Sequence, residues 1–204
     1  MKNKKDKATK KEIKHYSKEW LKILELQKIL SLHNLSEKYE AWVTLLYFPA
    51  LRVSEAINVR VRDIDFDNNC IEIYNAKGVS NHDLRKAHLP QEAQKTLSRY
   101  IKNNNLKPND YIMFSNKSIQ VSRSHVYVVV NQLCKDAGIE KRIGCHTFRR
   151  SRAQNLLDSG VPLISVSRYL RHKNIETTMH YLNYSIDDLQ KELLKYDEPF
   201  KMGL

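Results

Sequence analysis

Apolar residues recur at helical spacing through most of the chain and switch to alternation in one short stretch. From Ser17, a good helix cap, Trp20, Ile23, Leu24, Leu26, Ile29 and Leu30 mark a first helix. Ser36 opens a second, through Glu40, Trp42, Leu45 and Leu46, which stops near Pro49. A short helix headed by Arg52 turns Val53, Ala56, Ile57 and Val59 inward. Cys70 to Tyr74 then alternates as a strand should, and Leu84 to Leu89 returns as its hairpin partner. Gln91 to Ile101 reads as a surface helix with Ala93, Leu97 and Ile101 inward, and Lys107 to Asp110 as a turn before a short apolar piece, Tyr111 to Phe114. After Ser122, three successive valines favour a strand, yet Val126, Val129, Val130, Leu133, Cys134 and Ala137 fit one helical face, and a helix is expected there.

Three more helical patterns follow. The first, after Gly144, turns Ala153, Leu156 and Leu157 inward. The second restarts at Val161-Pro162, with proline at a first helical position and Leu163, Val166 and Leu170 as its stripe. The third is capped by Asn174, with Ile175, Met179 and Leu182 inward. Ser185-Ile-Asp-Asp188 has the form of a capping box and opens a last helix bearing Leu189, Leu193 and Tyr196. The fold class expected is mainly α with a small antiparallel β-hairpin or sheet, an α+β arrangement.

A chain of 204 residues with 41% hydrophobic content is ample for a buried core. Its net charge of +12 points to a polyanionic partner. The first fifteen residues, expected to be a mobile basic tail that aids solubility or touches DNA backbone, supply +5 of this, so the remainder is itself basic at +7. No apolar run reaches the ~20 residues a membrane helix needs, and the Lys-rich start has no apolar segment behind it. Cys70, Cys134 and Cys145 lack CxxC spacing and read as reduced thiols of a cytoplasmic protein. Asp63-Ile-Asp65-Phe-Asp67-Asn68 imitates a calcium loop, but lacks its glycine and has Tyr74 where the last carboxylate belongs. No metal site is expected.

Chemistry concentrates between Gly144 and Tyr184. His146 and Arg149, three apart, project from one face of a helix's first turn, whose free N–H groups favour an anion. That is the outline of a phosphate site. His172 ends the next helix, where a cationic imidazole could instead simply offset the helix dipole. Tyr181 falls off the apolar stripe of the third helix and is held out for chemistry.

In these features the chain resembles the tyrosine recombinase, or phage integrase, family. The resemblance rests on Leu51-Arg52-Val53-Ser54-Glu55, Ala76-Lys77-Gly78, His146-Thr147-Phe148-Arg149, Leu170-Arg171-His172 and Tyr181, in the family's order, with nine residues from His172 to Tyr181. It covers residues 17 to 196. Two positions depart from the family's commonest pattern: Ala76, with a longer loop after Lys77, and Arg171, where glycine is usual.

The resemblance implies the recombinase catalytic-domain fold, with residues 16–184 as catalytic domain and 185–204 as a C-terminal helix and tail. That segment either folds back on its own domain or docks on a neighbouring protomer. It implies that Arg52 and Arg149 neutralise the non-bridging oxygens of a scissile phosphate, with Glu55 steadying Arg52 and His172 donating a further hydrogen bond. His146 would take the proton of Tyr181, which would attack to give a 3′-phosphotyrosyl link. Lys77, with Lys86 as rival, would protonate the departing 5′ oxygen. Lys86, Arg123, Arg150 and Lys173 are further candidate DNA contacts; Arg123 and His125 also read as a solvated helix start. No metal, ATP or other cofactor is implied. The partners are double-stranded DNA and further copies of the chain, from dimer to four-way-junction tetramer. Because only 51 residues precede Arg52, a catalytic domain alone is expected, as a short member or a fragment, with weak and salt-sensitive DNA binding. Two other classes use similar features: a type IB topoisomerase, and a DNA-binding regulator that has lost catalysis.

Overall fold

A computed structural model describes residues 19–74, 85–115, 118–141 and 143–197. The basic tail and Lys77 lie outside the described residues. Helices α1 (Ile23–Leu30), α2 (Glu37–Tyr47) and α3 (Val53–Ala56) lead into a sheet of β1 (Ile64–Asp65), β2 (Cys70–Ile73) and β3 (Arg85–His88). Helices α4 (Gln91–Asn103), α5 (Arg123–Asp136), α6 (Cys145–Asp158), α7 (Leu163–Tyr169), α8 (Ile175–Leu182) and α9 (Ile186–Asp197) complete it. The sheet is antiparallel in the order β1-β2-β3, with Ile71 facing Ala87 across the hairpin. Mainly helical architecture with a small antiparallel sheet is therefore what the chain forms.

Local chemistry explains most of the boundaries. Ser36 and Ser122 accept the N–H of Tyr39 and His125 and so start α2 and α5. Asn174 starts α8 in the same way, through the N–H of Glu176. The valine-rich segment is helical because Val126, Val129, Val130, Leu133 and Cys134 are all buried on one side; burial outweighs the β-propensity of the run.

Two hydrophobic clusters meet in the molecule. The larger gathers Trp42, Leu45 and Leu46 of α2, Ile71 of the sheet, Leu97 and Tyr100 of α4, Val126 and Val130 of α5, and Phe148 of α6. The smaller holds Ala50, Ala153, Val166, Leu170 and Leu182, with Tyr181 packed against it. Ala50 and Leu51 fall in different clusters, and α6 contributes to both. The junction between the clusters is where the site lies.

Several sequence expectations are corrected. The first helix starts at Ile23 with Lys22 as N-cap, and Ile23 and Leu24 are exposed while Leu21 is buried. In α4 it is Tyr100 that is fully buried, its hydroxyl donating to Ile112 O at 3.3 Å, and Ile101 is only half-buried. In α6 the buried face is partly polar: Ser151 Oγ accepts the N–H of Leu21 at 2.7 Å, and Asn155 Nδ2 donates to Tyr47 Oη at 2.9 Å and Leu21 O at 3.2 Å. Leu156 and Leu157 are half-buried behind them. These polar groups bind the extended segment before α1 to the middle of the molecule, which an apolar stripe could not do.

The inward face of α8 also differs. Thr178 and Leu182 are buried, whereas Ile175 and Met179 are exposed. Tyr181 is half-buried and packed, not held off the core. The helix is rotated by its polar attachment to His172, described below.

Candidate active site

Arg52 is the N-cap of α3, so its backbone N–H is free to be met by a side chain one turn on. Glu55 supplies that partner. Its Oε2 accepts the Arg52 N–H at 2.8 Å, and its Oε1 accepts Arg52 Nη1 at 2.7 Å. The Arg52 side chain keeps 37% exposure, enough to meet a ligand. Burial opposes charge on Glu55, but Arg171 and the Arg52 hydrogen bonds outweigh it and hold the carboxyl below its ordinary range.

Arg149, in the second turn of α6, is almost fully buried at 2%. Its Nη1 donates to Ala50 O at 2.6 Å and its Nη2 to Leu170 O, and Nη2 also lies 3.2 Å from His172 Nε2. Glu55 Oε2 is 3.9 Å from Nη1. Desolvation, then the charges of Arg52 and Arg171, lowers Arg149 to about 10, which still leaves it a cation near neutral pH. Ala50 presents its carbonyl from a left-handed backbone, φ +47°. For a non-glycine residue that conformation costs roughly 1 kcal/mol.

His172 stands between two polar partners. Nε2 faces a guanidinium N–H, which has no lone pair to offer, so Nε2 accepts and Nδ1 carries the proton toward Thr178 Oγ1, 2.8 Å away. Desolvation, then Arg149, Arg52 and Arg171, pushes its pKa down to about 4. The ring is therefore neutral near pH 7, and the helix-dipole reading of a cationic His172 is set aside. Thr178 is fully buried on α8; no periodicity singled it out.

Tyr181 projects from α8 toward the same point. Its ring meets that of His172 edge-on, 5.7 Å between centroids. Its hydroxyl donates to the main-chain carbonyl of His146 at 3.2 Å. Burial pushes the phenol up to about 12 despite the nearby charges of Arg149, Arg150 and Arg52. His146 itself is exposed at the head of α6, and desolvation of its ring, with Arg149, Arg52 and Arg123, lowers its pKa.

Thus Arg52, Glu55, His146, Arg149, His172 and Tyr181 are brought into one network across α3, α6, α7 and α8 of a single chain. The other expected contacts are scattered. Arg150 is buried at 7%, so it does not offer a surface to DNA as expected. Arg123 and Lys173 are exposed, and Lys86 is exposed beside Glu72, 4.0 Å away on the neighbouring strand. His125 packs its ring edge against Trp42, with centroids 5.8 Å apart. Arg171 joins the network unforeseen, through Glu55 Oε2 at 3.0 Å. Among the described residues no group of His, Cys, Asp or Glu is arranged to hold a metal. The three cysteines are free and buried.

A family model described as the phage integrase family matches residues 7–186. This chain belongs to the phage integrase family. A tyrosine recombinase of Pseudothermotoga lettingae is 35% identical over 159 residues, covering 78% of this chain and 54% of that protein. The tyrosine recombinase XerA of Saccharolobus solfataricus is 30% identical over 172 residues, covering 84% and 54%. The chain thus spans about half the length of these relatives. Among solved structures, that of a XerA recombinase superposes with a TM-score of 0.75 at 23% identity, covering 87% of this chain and 63% of that one. A XerH recombinase bound to its difH substrate, in a post-cleavage complex, gives 0.70 at 22% identity, covering 89% and 54%. At such identities the likeness establishes the fold: this integrase-family chain has the tyrosine recombinase catalytic-domain fold.

Proposed function

We propose that this chain breaks and rejoins DNA through a 3′-phosphotyrosyl intermediate, as a site-specific recombinase. The observation that carries the reading is the juxtaposition of two guanidiniums, two imidazoles and one phenol, all from the same chain. Phosphodiester exchange needs charge stabilisation at phosphorus, a nucleophile and proton transfers. Arg52 and Arg149 supply the positive charge. The Tyr181 oxygen attacks phosphorus, its proton passing to His146; the bond to the 5′ oxygen breaks, and Lys77 gives that oxygen a proton. The new ester keeps the bond energy, so an incoming 5′ hydroxyl reverses the step without ATP.

His172 enters this scheme by exchanging its proton. When a phosphate draws Arg149 Nη2 to itself, Nε2 loses its donor. The Thr178 hydroxyl both donates and accepts, so once the ring has given up its Nδ1 proton to water and taken one from water at Nε2, the hydroxyl donates to Nδ1 and the Nε2–H meets a phosphate oxygen. Assembly of several copies on DNA is supported by α9, whose Ile186, Leu189, Leu193 and Leu194 are exposed. The relatives named as recombinases and the XerH complex with DNA favour recombinase over topoisomerase or inert regulator.

A two-site exchange assay beside a supercoil relaxation assay tests the reading. Joined products carrying one end from each duplex are expected. Relaxation of a plasmid bearing a single site, with no exchange between duplexes, would assign the chain to the topoisomerase class instead.

A further inference from the structure

We infer that Arg171 is a positioning residue of the phosphate site: from a left-handed backbone it grips Glu55, and through Glu55 it fixes the guanidinium of Arg52. The inference rests on the cleavage reading above. Arg171 follows the last turn of α7 with φ +58°, a conformation that favours glycine. Its side chain is nevertheless only 7% exposed. A surface arginine would place its charge in water, whereas this one is turned inward against the peptide carbonyls before α3. Nη1 donates to Pro49 O at 3.1 Å and Tyr169 O at 3.2 Å, and Nη2 donates to Ala50 O at 3.2 Å and Glu55 Oε2 at 3.0 Å.

The same acceptors serve the other arginines. Ala50 O also takes Arg149 Nη1, and Glu55 also takes Arg52 through both its oxygens. Two left-handed non-glycine residues, Ala50 and Arg171, thus meet at one carbonyl. Strained backbone persists where surrounding contacts over-determine it, and it clusters at functional sites.

The electrostatic consequence follows from counting charges. Glu55 alone would cancel one of Arg52 and Arg149; with Arg171 neutralising it, both remain effective toward an incoming anion. The carboxylate then acts as a strut between a buried guanidinium and an exposed one. Arg52 is held by its backbone N–H and by Nη1, leaving the other donors of its fork for phosphate oxygens.

The test uses the full chain, with Arg171→Gly and Arg171→Lys. Glycine relaxes the left-handed backbone while removing the guanidinium; lysine keeps charge but not the fork. The first readout needs no DNA: titration of the Glu55 carboxyl by carbon NMR, the charged and titratable groups near it being Arg52, Arg149, Arg171 and His172. Its midpoint is expected to move upward in Arg171→Gly and less in Arg171→Lys. The second is the single-turnover rate of adduct formation on saturating nicked duplex. It is expected to fall about tenfold or more in Arg171→Gly with DNA affinity within about twofold. The fall should be steeper toward acid pH and partly reversed by millimolar guanidinium. An unmoved Glu55 midpoint, or a wild-type rate in Arg171→Gly, overturns the inference. So does a loss that is equal at every pH, tracks lowered thermal stability and is not rescued by guanidinium. If the wild-type chain forms no adduct, the cleavage reading fails, and the Glu55 titration still decides whether Arg171 sets that carboxylate.

Discussion

The hydroxyl of Tyr181 donates to the main-chain carbonyl of His146, 3.2 Å away, so the proposed nucleophile and the proposed base are joined through backbone. In the proposed reaction the phenol exchanges this acceptor for phosphorus. Because Tyr181 lies in the same chain as Arg52 and Arg149, the proposed cleavage would take place in cis.

Two pKa shifts set the expected pH profile. Desolvation and the nearby arginines keep His146 in its basic form at neutral pH, and burial keeps Tyr181 protonated up to about 12. The rate of adduct formation should therefore rise through the acid range and level by about pH 7, with no second rise before pH 9. Single-turnover rates on a nicked duplex check this; a steady climb to pH 9 would mean that the phenol ionises on its own.

His172 predicts a pH dependence of stability. Its pKa falls from an ordinary 6.5 to about 4 on folding, so the unfolded chain binds the proton more tightly. The contribution is fully present above 6.5 and is lost as pH falls from there toward 4. Melting temperatures across that window should drop more steeply for wild type than for His172→Gln, in which no titration occurs.

Asn155 ties α6 to Leu21 O and Tyr47 Oη in the buried interior. Asn155→Ala removes this donor from both, Tyr47 keeping its hydrogen bond with Arg152, at a cost of about 1–3 kcal/mol. Urea unfolding should show a lower midpoint with an unchanged slope.

Helix α9 carries the prediction about assembly. Its leucines are exposed in the single chain, Leu189 at 45% and Leu193 at 49%. Changing both to Asp should leave the melting temperature within about 2 °C, since no core contact is lost. Cooperative loading on a two-site DNA, followed by gel shift, should be lost.

The chain shows its fold in the caps at Ser36 and Asn174 and in the alternation from Cys70, because caps and period are local properties. It shows the candidate site at Arg52, His146, Arg149, His172 and Tyr181 through their resemblance to the family's motifs. What it hides is non-local. Ser151 and Asn155 are buried polar residues whose partners lie over a hundred residues away, so an apolar stripe misplaces the inner face of α6. Thr178 looks like any helix threonine until His172 is beside it, and that bond turns Ile175 and Met179 outward. Arg171 stood out only as an oddity where glycine was expected; its inward turn depends on Ala50 and Glu55, brought there by tertiary folding.

The most direct measurement is covalent capture on a nicked DNA duplex, comparing wild type with Tyr181→Phe after denaturation. Wild type is expected to remain attached to the DNA through a 3′ phosphate, and the Phe variant to release it entirely while binding the intact duplex with the same salt dependence. An adduct that survives the loss of this one hydroxyl, or a wild-type chain that binds the duplex and never becomes attached, would contradict the proposal that Tyr181 is the nucleophile of the site.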